Sequence, residues 1–266
     1  MQRRSFLKTV GTAGLAAGVM PSQAVSYVDN PQASGPGLTT KHPSPETILL
    51  KDYRPKSIYK IPITEVPKAK FPVIDMHSHP YAKTPAEIAS WVRNMDEVGI
   101  EKIMVLTETS GQEFVEMKKR FAPYPSRFEI WCGFDYTGYN KPGFGPEAVR
   151  ALERCHELGA GGVGELHDKG KGLVSQAVKA YGMHPDDARM DSLFERCGQL
   201  GMPVSIHVAD PIWMYEPLAL HNDGLMNAFH WRLDNQPNIV QLSGMVDILE
   251  RTVGKHYGTT FIACHF

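Results

Sequence analysis

From Phe71 onward, short β-branched or apolar runs alternate with segments in which apolar residues recur every three or four positions. The runs predict strands near 72–77, 102–107, 128–134, 161–166, 203–208 and 259–265. Strands alternating with amphipathic helices define parallel βα units. The first helix is the most fully specified. Thr84-Pro85-Ala86-Glu87 supplies an N-cap, a proline at the first helical position and a capping-box glutamate, and Ile88, Trp91, Val92, Met95 and Val98 follow as one stripe. Further stripes run through Val149, Leu152, Cys155 and Leu158, through Leu193, Phe194, Cys197 and Leu200, and through Met245, Ile248, Leu249 and Val253. Two connections, 167–188 and 209 to about 242, exceed a minimal βα loop, and the second carries Trp213, Met214, Tyr215, Trp231 and Asn235. Both follow strands and so emerge at the face where parallel α/β folds build their sites, which makes them candidate lids.

The polar positions that interrupt this pattern fall at strand ends. In Val73-Ile74-Asp75-Met76-His77-Ser78-His79, a buried-strand run turns polar at its C-terminal end. Strand alternation puts Asp75, His77 and His79 on one side, so two imidazoles converge on one point at a separation suited to a small cation. The fifth run, Met202 to Asp210, delivers His207 on the face of Ser205, and the sixth delivers His265 on the face of Ala263. Three strands of six ending in histidine is hard to attribute to packing. The fourth run places Val163, Glu165 and His167 on one face, where Glu165 either binds a metal or hydrogen-bonds a neighbouring histidine. His167, Asp168 and Lys169 read best as a solvated turn. His156, His184, His221, His230 and His256 share no periodicity and receive no role.

These strand-end residues, Asp75-Met76-His77-Ser78-His79 with His207 and His265, resemble the amidohydrolase superfamily, in its amidohydrolase-2 or aminocarboxymuconate-semialdehyde decarboxylase-like branch. The resemblance covers residues 71–266 and implies an α/β fold of the TIM-type (β/α)8 kind, of which about six strands are present. It implies that His77, His79 and His207 hold a divalent metal, usually Zn2+, with Glu165 an additional candidate ligand, and that His265 acts on substrate or water. It also implies hydrolysis of a C–O or C–N bond by activated water, with non-oxidative decarboxylation on the same site as the alternative. The substrate class is then a small carboxylic acid, ester, lactone or amide.

One departure stands out. The family takes a further ligand from an aspartate on an eighth strand, whereas the sequence stops just after His265, and a complete barrel typically needs about 250 residues. The expectation is therefore a C-terminally incomplete barrel with two open sheet edges, and a noncatalytic metal-binding remnant is the rival reading. A homo-oligomer could cover those edges.

Composition narrows the partners. Among 266 residues, 42% hydrophobic, Lys and Arg number 28 against 29 Asp and Glu, so no basic surplus points to nucleic acid. Arg3-Arg4-Ser5-Phe6-Leu7-Lys8, an apolar stretch from Thr9 to Met20 and Ser22-Gln23-Ala24 read as a twin-arginine signal over 1–24, with periplasmic or extracellular export. That stretch is about half of the roughly 20 residues a bilayer span needs. Residues 25–70 form a Pro-rich N-terminal extension. Cys132, Cys155, Cys197 and Cys264 form no C-x-x-C pair; three lie in apolar segments and read as buried thiols, and an oxidising compartment permits a disulfide.

Overall fold

The computed structural model describes residues 48–49, 51–55, 62, 64–217, 219–222, 232–234 and 236–265, all within one unit of the chain, 42–266. The proposed signal at 1–24, most of the 25–70 extension, and His230, Trp231 and Asn235 lie outside the described residues.

The elements follow in the order β1 (Val73–Ser78), α1 (Pro85–Val98), β2 (Ile100–Leu106), α2 (Gly111–Phe121), β3 (Phe128–Trp131), α3 (Phe144–Glu157), β4 (Val163–Asp168), β5 (Gly172–Val174), β6 (Lys179–Tyr181), α4 (Asp191–Leu200), β7 (Val204–Val208), α5 (Leu242–Lys255) and β8 (Phe261–Ala263). The capping box of α1 forms as its sequence predicts. Glu87 N–H donates to Thr84 Oγ1 (3.3 Å) and Thr84 N–H to Glu87 Oε2 (2.9 Å). Gly99, at φ 86, closes the helix with an N–H bond to Met95 O. Ile88, Val92 and Met95 are buried, and Trp91 packs edge-on to Phe121 and tilted on Phe128, tying α1 to α2 and β3. The last members of three stripes, Val98, Leu158 and Val253, are exposed, because each stands in or just past the final helical turn, beyond the reach of the sheet. Helix α2 escaped the sequence reading: it fully buries only Phe114 and Phe121, with Met117 half-buried against the core between them.

Strands β1, β2 and β3 pair in parallel, as do β4, β7 and β8. A single parallel bridge, Cys132 to Val163, joins the two groups, so six parallel strands run in chain order. That architecture is α/β with sequential parallel strands. Strand β7, flanked by β4 and β8, is buried along its whole length, including the polar Ser205 and His207. Strand β1 corrects the reading of a buried run: Val73, Ile74 and Met76 are exposed, and among the described residues β1 pairs only with β2. The sheet nevertheless curls, for the rings of His77 beyond the middle of β1 and His265 after β8 come within 4.9 Å.

The 167–188 connection is not a loop. It holds the antiparallel hairpin β5–β6, which pairs with the end of β4 through His167 and Val174. Strand β3 is short, so its pairing with β4 ends at the bridge near Val163, and the hairpin takes the place beside the rest of β4. The expected solvated turn is likewise overturned. Asp168 is fully buried; its Oδ1 accepts the N–H of Gly170 (2.8 Å) and Gly172 (2.9 Å), and its Oδ2 meets His184 Nδ1 at 2.5 Å, because the hairpin needs an acceptor where it leaves β4. All four cysteines are buried free thiols.

Two substitutions probe this frame. Thr84→Ala removes one side of the capping box and is expected to cost about 1 kcal/mol in urea unfolding. A Cβ at Gly133 would stand 2.4 Å from the carbonyl carbon of Glu108. Gly133→Ala should therefore cost about 1–3 kcal/mol, and an unchanged midpoint would show that the end of β2 is not packed as described.

Candidate metal centre

The C-terminal ends of the parallel strands deliver the predicted histidines to one place, and Glu165 of β4 lies at its hub. Glu165 Oε1 is 2.6 Å from His207 Nδ1 and 3.6 Å from His265 Nε2, while Oε2 is 3.2 Å from His79 Nε2 and 3.7 Å from His77 Nε2. The His77 and His79 rings meet edge-on at 5.2 Å, and those of His207 and His265 at 4.4 Å. Every residue named from the sequence for this site is thus present in one cluster. His265 reaches it differently from the expectation. It has left β8 and adopts a left-handed backbone, φ 60, so strand alternation with Ala263 does not set its direction.

The donor set fits a divalent transition metal. Ligand atoms of His77, His79 and Glu165 lie within 4.8 Å of one another, as do those of Glu165, His207 and His265, and imidazole nitrogen with carboxylate oxygen suits zinc, manganese or iron. The tautomer of His79 is fixed from outside: Leu106 O can only accept, so Nδ1–H donates to it at 3.2 Å and Nε2 is left facing the cluster. This is the arrangement that orients a ligating imidazole.

Charge is distributed unevenly over the cluster. Burial works against ionising Glu165, but hydrogen bonds from His207 and His79 outweigh it and hold its carboxyl well below the usual carboxylate range. Burial also opposes protonation of His207, yet bonds to Asp210 and Glu165 prevail and push it up to about 9. His79 is raised, chiefly by its bond to Glu165. Burial lowers His77, and burial together with the charge on His207 lowers His265.

Glu165, His79, His207 and His265 line a cavity of about 590 Å3 together with Tyr81, Glu108, His167, Lys169, Asp210 and Trp213. His265 is the most open member of the cluster, with 48% of its side chain exposed. Two acidic residues of this wall were missed by the sequence reading. Glu108 follows β2 at φ 56 and turns its carboxylate toward His79 (4.0 Å) and His167 (3.7 Å). Gln176, in the turn of the hairpin, donates to it at 3.3 Å, and burial raises its pKa. Asp210 follows β7, with Oδ1 3.1 Å from His207 Nε2. Burial pushes His167 down to about 4, so it lines the cavity as a neutral ring.

No family model and no curated protein matches the chain. Among solved structures it is similar to a protein described as an amidohydrolase from Staphylococcus aureus, with 15% identity over 71% of this chain and 66% of that one, TM-score 0.46. It is also similar to a 2,6-dihydroxybenzoate decarboxylase from Rhizobium, with 14% identity over 73% and 66%, TM-score 0.44. A third is 5-carboxyvanillate decarboxylase from Novosphingobium aromaticivorans, solved with manganese and 4-hydroxy-3-methoxy-5-nitrobenzoic acid, with 14% identity over 76% and 68%, TM-score 0.44. The chain spans 66% of the length of the first two, just under two thirds.

The Glu165–His207 pair sets a pH window in the metal-free protein. A depressed carboxylate contributes stability above its ordinary 4.5 that is lost as pH falls through the folded value. A raised imidazole contributes stability fully below 6.5 that is lost as pH rises through about 9. The stability gap between the native protein and Glu165→Gln should be widest from 4.5 to 6.5 and narrow above about 9. Urea unfolding at acid and alkaline pH measures it, and a gap independent of pH would contradict the pairing.

Proposed function

We propose that this chain carries the metal-dependent catalytic centre of an amidohydrolase-type enzyme and that its six parallel strands belong to a (β/α)8 barrel. The observation that supports this reading is the convergence of four strand-end imidazoles on one buried carboxylate at the floor of a cavity. His77, His79 and His207 would hold the metal, zinc by preference, with Glu165 as the carboxylate member of the set. Such an ion supplies Lewis acidity, polarising a carbonyl or carboxyl oxygen and acidifying water.

The chain's own residues supply the rest. His265, half-exposed at the cavity mouth and lowered by its surroundings, is a neutral ring able to accept a proton from water or orient a substrate oxygen. Tyr81, Trp213 and Pro211 give the cavity partly apolar walls, and Lys169 places a cation in its lining. A small substrate bearing a carboxyl, ester, lactone or amide group fits these features, and hydrolysis of a C–O or C–N bond is the first outcome. Glu108 favours decarboxylation as the second. Breaking the C–C bond to a carboxylate leaves its electron pair on carbon, which must take up a proton, and the Glu108 carboxyl, whose pKa burial raises, lines the cavity where that proton is needed. Export by the twin-arginine route is part of the proposal. Among the described residues no helix is long and apolar enough to cross a membrane.

Zinc- or manganese-loaded protein should release carbon dioxide from, or open, at least one member of a panel of small aromatic and aliphatic carboxylates, esters, lactones and amides. His77→Ala and His79→Ala should each lower kcat/KM at least about 100-fold together with metal content. Metal binding without turnover on any member would sink the enzymatic reading and leave a metal-binding protein.

A further inference from the structure

The chain leaves β7 by an unusual route. Ala209 takes a left-handed backbone, φ 73, in which a side-chain-bearing residue is strained, while its N–H is fastened to Asp168 O at 2.9 Å. That turn brings Asp210 back over the ring of His207. Asp210 is largely buried, with Oδ1 3.1 Å from His207 Nε2 and Oδ2 3.0 Å from Lys169 Nζ. His207 is consequently held at both nitrogens, by Asp210 outside and by Glu165 at 2.6 Å inside. An imidazole gripped only at its inner nitrogen could turn about its χ2 torsion and put carbon Cδ2 where Nδ1 now faces Glu165; a second anchor at Nε2 opposes that turn.

We propose that Asp210 is a positioning residue for this site: together with Lys169, which holds its second oxygen, it anchors the outer nitrogen of His207 so that the inner nitrogen faces Glu165 and the centre of the imidazole cluster. The strained turn at Ala209 has a purpose on this account, since a residue continuing the strand would carry the carboxylate away from the ring. Asp210 also supplies the site with a second buried carboxylate, a group that the strand pattern placed nowhere near His207. Its effect on metal affinity rests on the metal-centre reading; its effect on the ring does not.

Imidazole 15N–1H correlation spectra of the metal-free full chain, paired with zinc affinity by chelator competition, test this role. Wild type should show a slowly exchanging His207 Nε2–H resonance. Asp210→Ala should lose it and bind zinc about 10–100-fold more weakly, whereas Asp210→Asn, which keeps an acceptor oxygen, should retain the resonance and most of the affinity. If Asp210→Ala does not fold, Lys169→Met tests the same chain from outside, by broadening the resonance and weakening zinc. An unchanged resonance in Asp210→Ala or Lys169→Met overturns the proposal, as does an Asp210→Asn variant that falls as far as Asp210→Ala, which would make charge rather than position decisive. Should wild type bind no zinc, the metal-centre reading fails, and the spectra alone decide the role of Asp210.

Discussion

Glu165 carries a negative charge to a depth where water cannot solvate it, and the imidazoles of His77, His79, His207 and His265 are what make that position tolerable. An uncompensated buried carboxylate costs several kcal/mol, so it either takes a proton or gathers cationic partners. Here partners prevail. The requirement reaches back into the fold, because the rings come from the ends of β1, β7 and β8, and each strand must end at the height of Glu165 on β4. The registers provide this: His167 of β4 lies beside His207 of β7, and Ser78 of β1 pairs with Val105 of β2. A parallel sheet built in chain order puts every strand's C-terminal end on one face, and the curl of the sheet brings the first and last of them together.

The acidic wall around this hub depends on backbone turns rather than on strands. Glu108, Ala209 and His265 are all non-glycine residues with positive φ, each within a few residues of a strand's C-terminal end. Such conformations persist only where the surroundings enforce them. At Glu108 the enforcement is visible: its N–H binds Gly164 O at 3.0 Å, and its backbone lies against Gly133, where no side chain fits. At Ala209 it is the bond to Asp168, itself locked by Gly170, Gly172 and His184. The segment that first looks like a long loop is therefore the scaffold of one side of the cavity.

This division explains what was legible in the sequence. Period-2 alternation around His77, His79 and Glu165, and the capping box at Thr84, are local signals, and the structure follows them. His207 was found by the same logic. Glu108 and Asp210 were invisible to it, because a left-handed turn redirects the side chain and single-sequence patterns carry no mark of such a turn at Glu or Ala. The hairpin β5–β6 was hidden for a related reason: three-residue strands are too short to show a period. His184 drew no attention on its own, since its partner Asp168 lies on another element. Helix α2 was missed because its apolar stripe, Phe114, Met117 and Phe121, is short.

The central proposal is that the imidazoles of His77, His79 and His207, gathered on Glu165, hold a metal ion. X-ray absorption at the metal edge of zinc-loaded protein tests it most directly. The account predicts a first shell of nitrogen and oxygen at about 2.0–2.1 Å, with the multiple-scattering signature of at least two imidazoles. A protein that retains no zinc after equilibration, or a shell dominated by sulfur at about 2.3 Å, would contradict it.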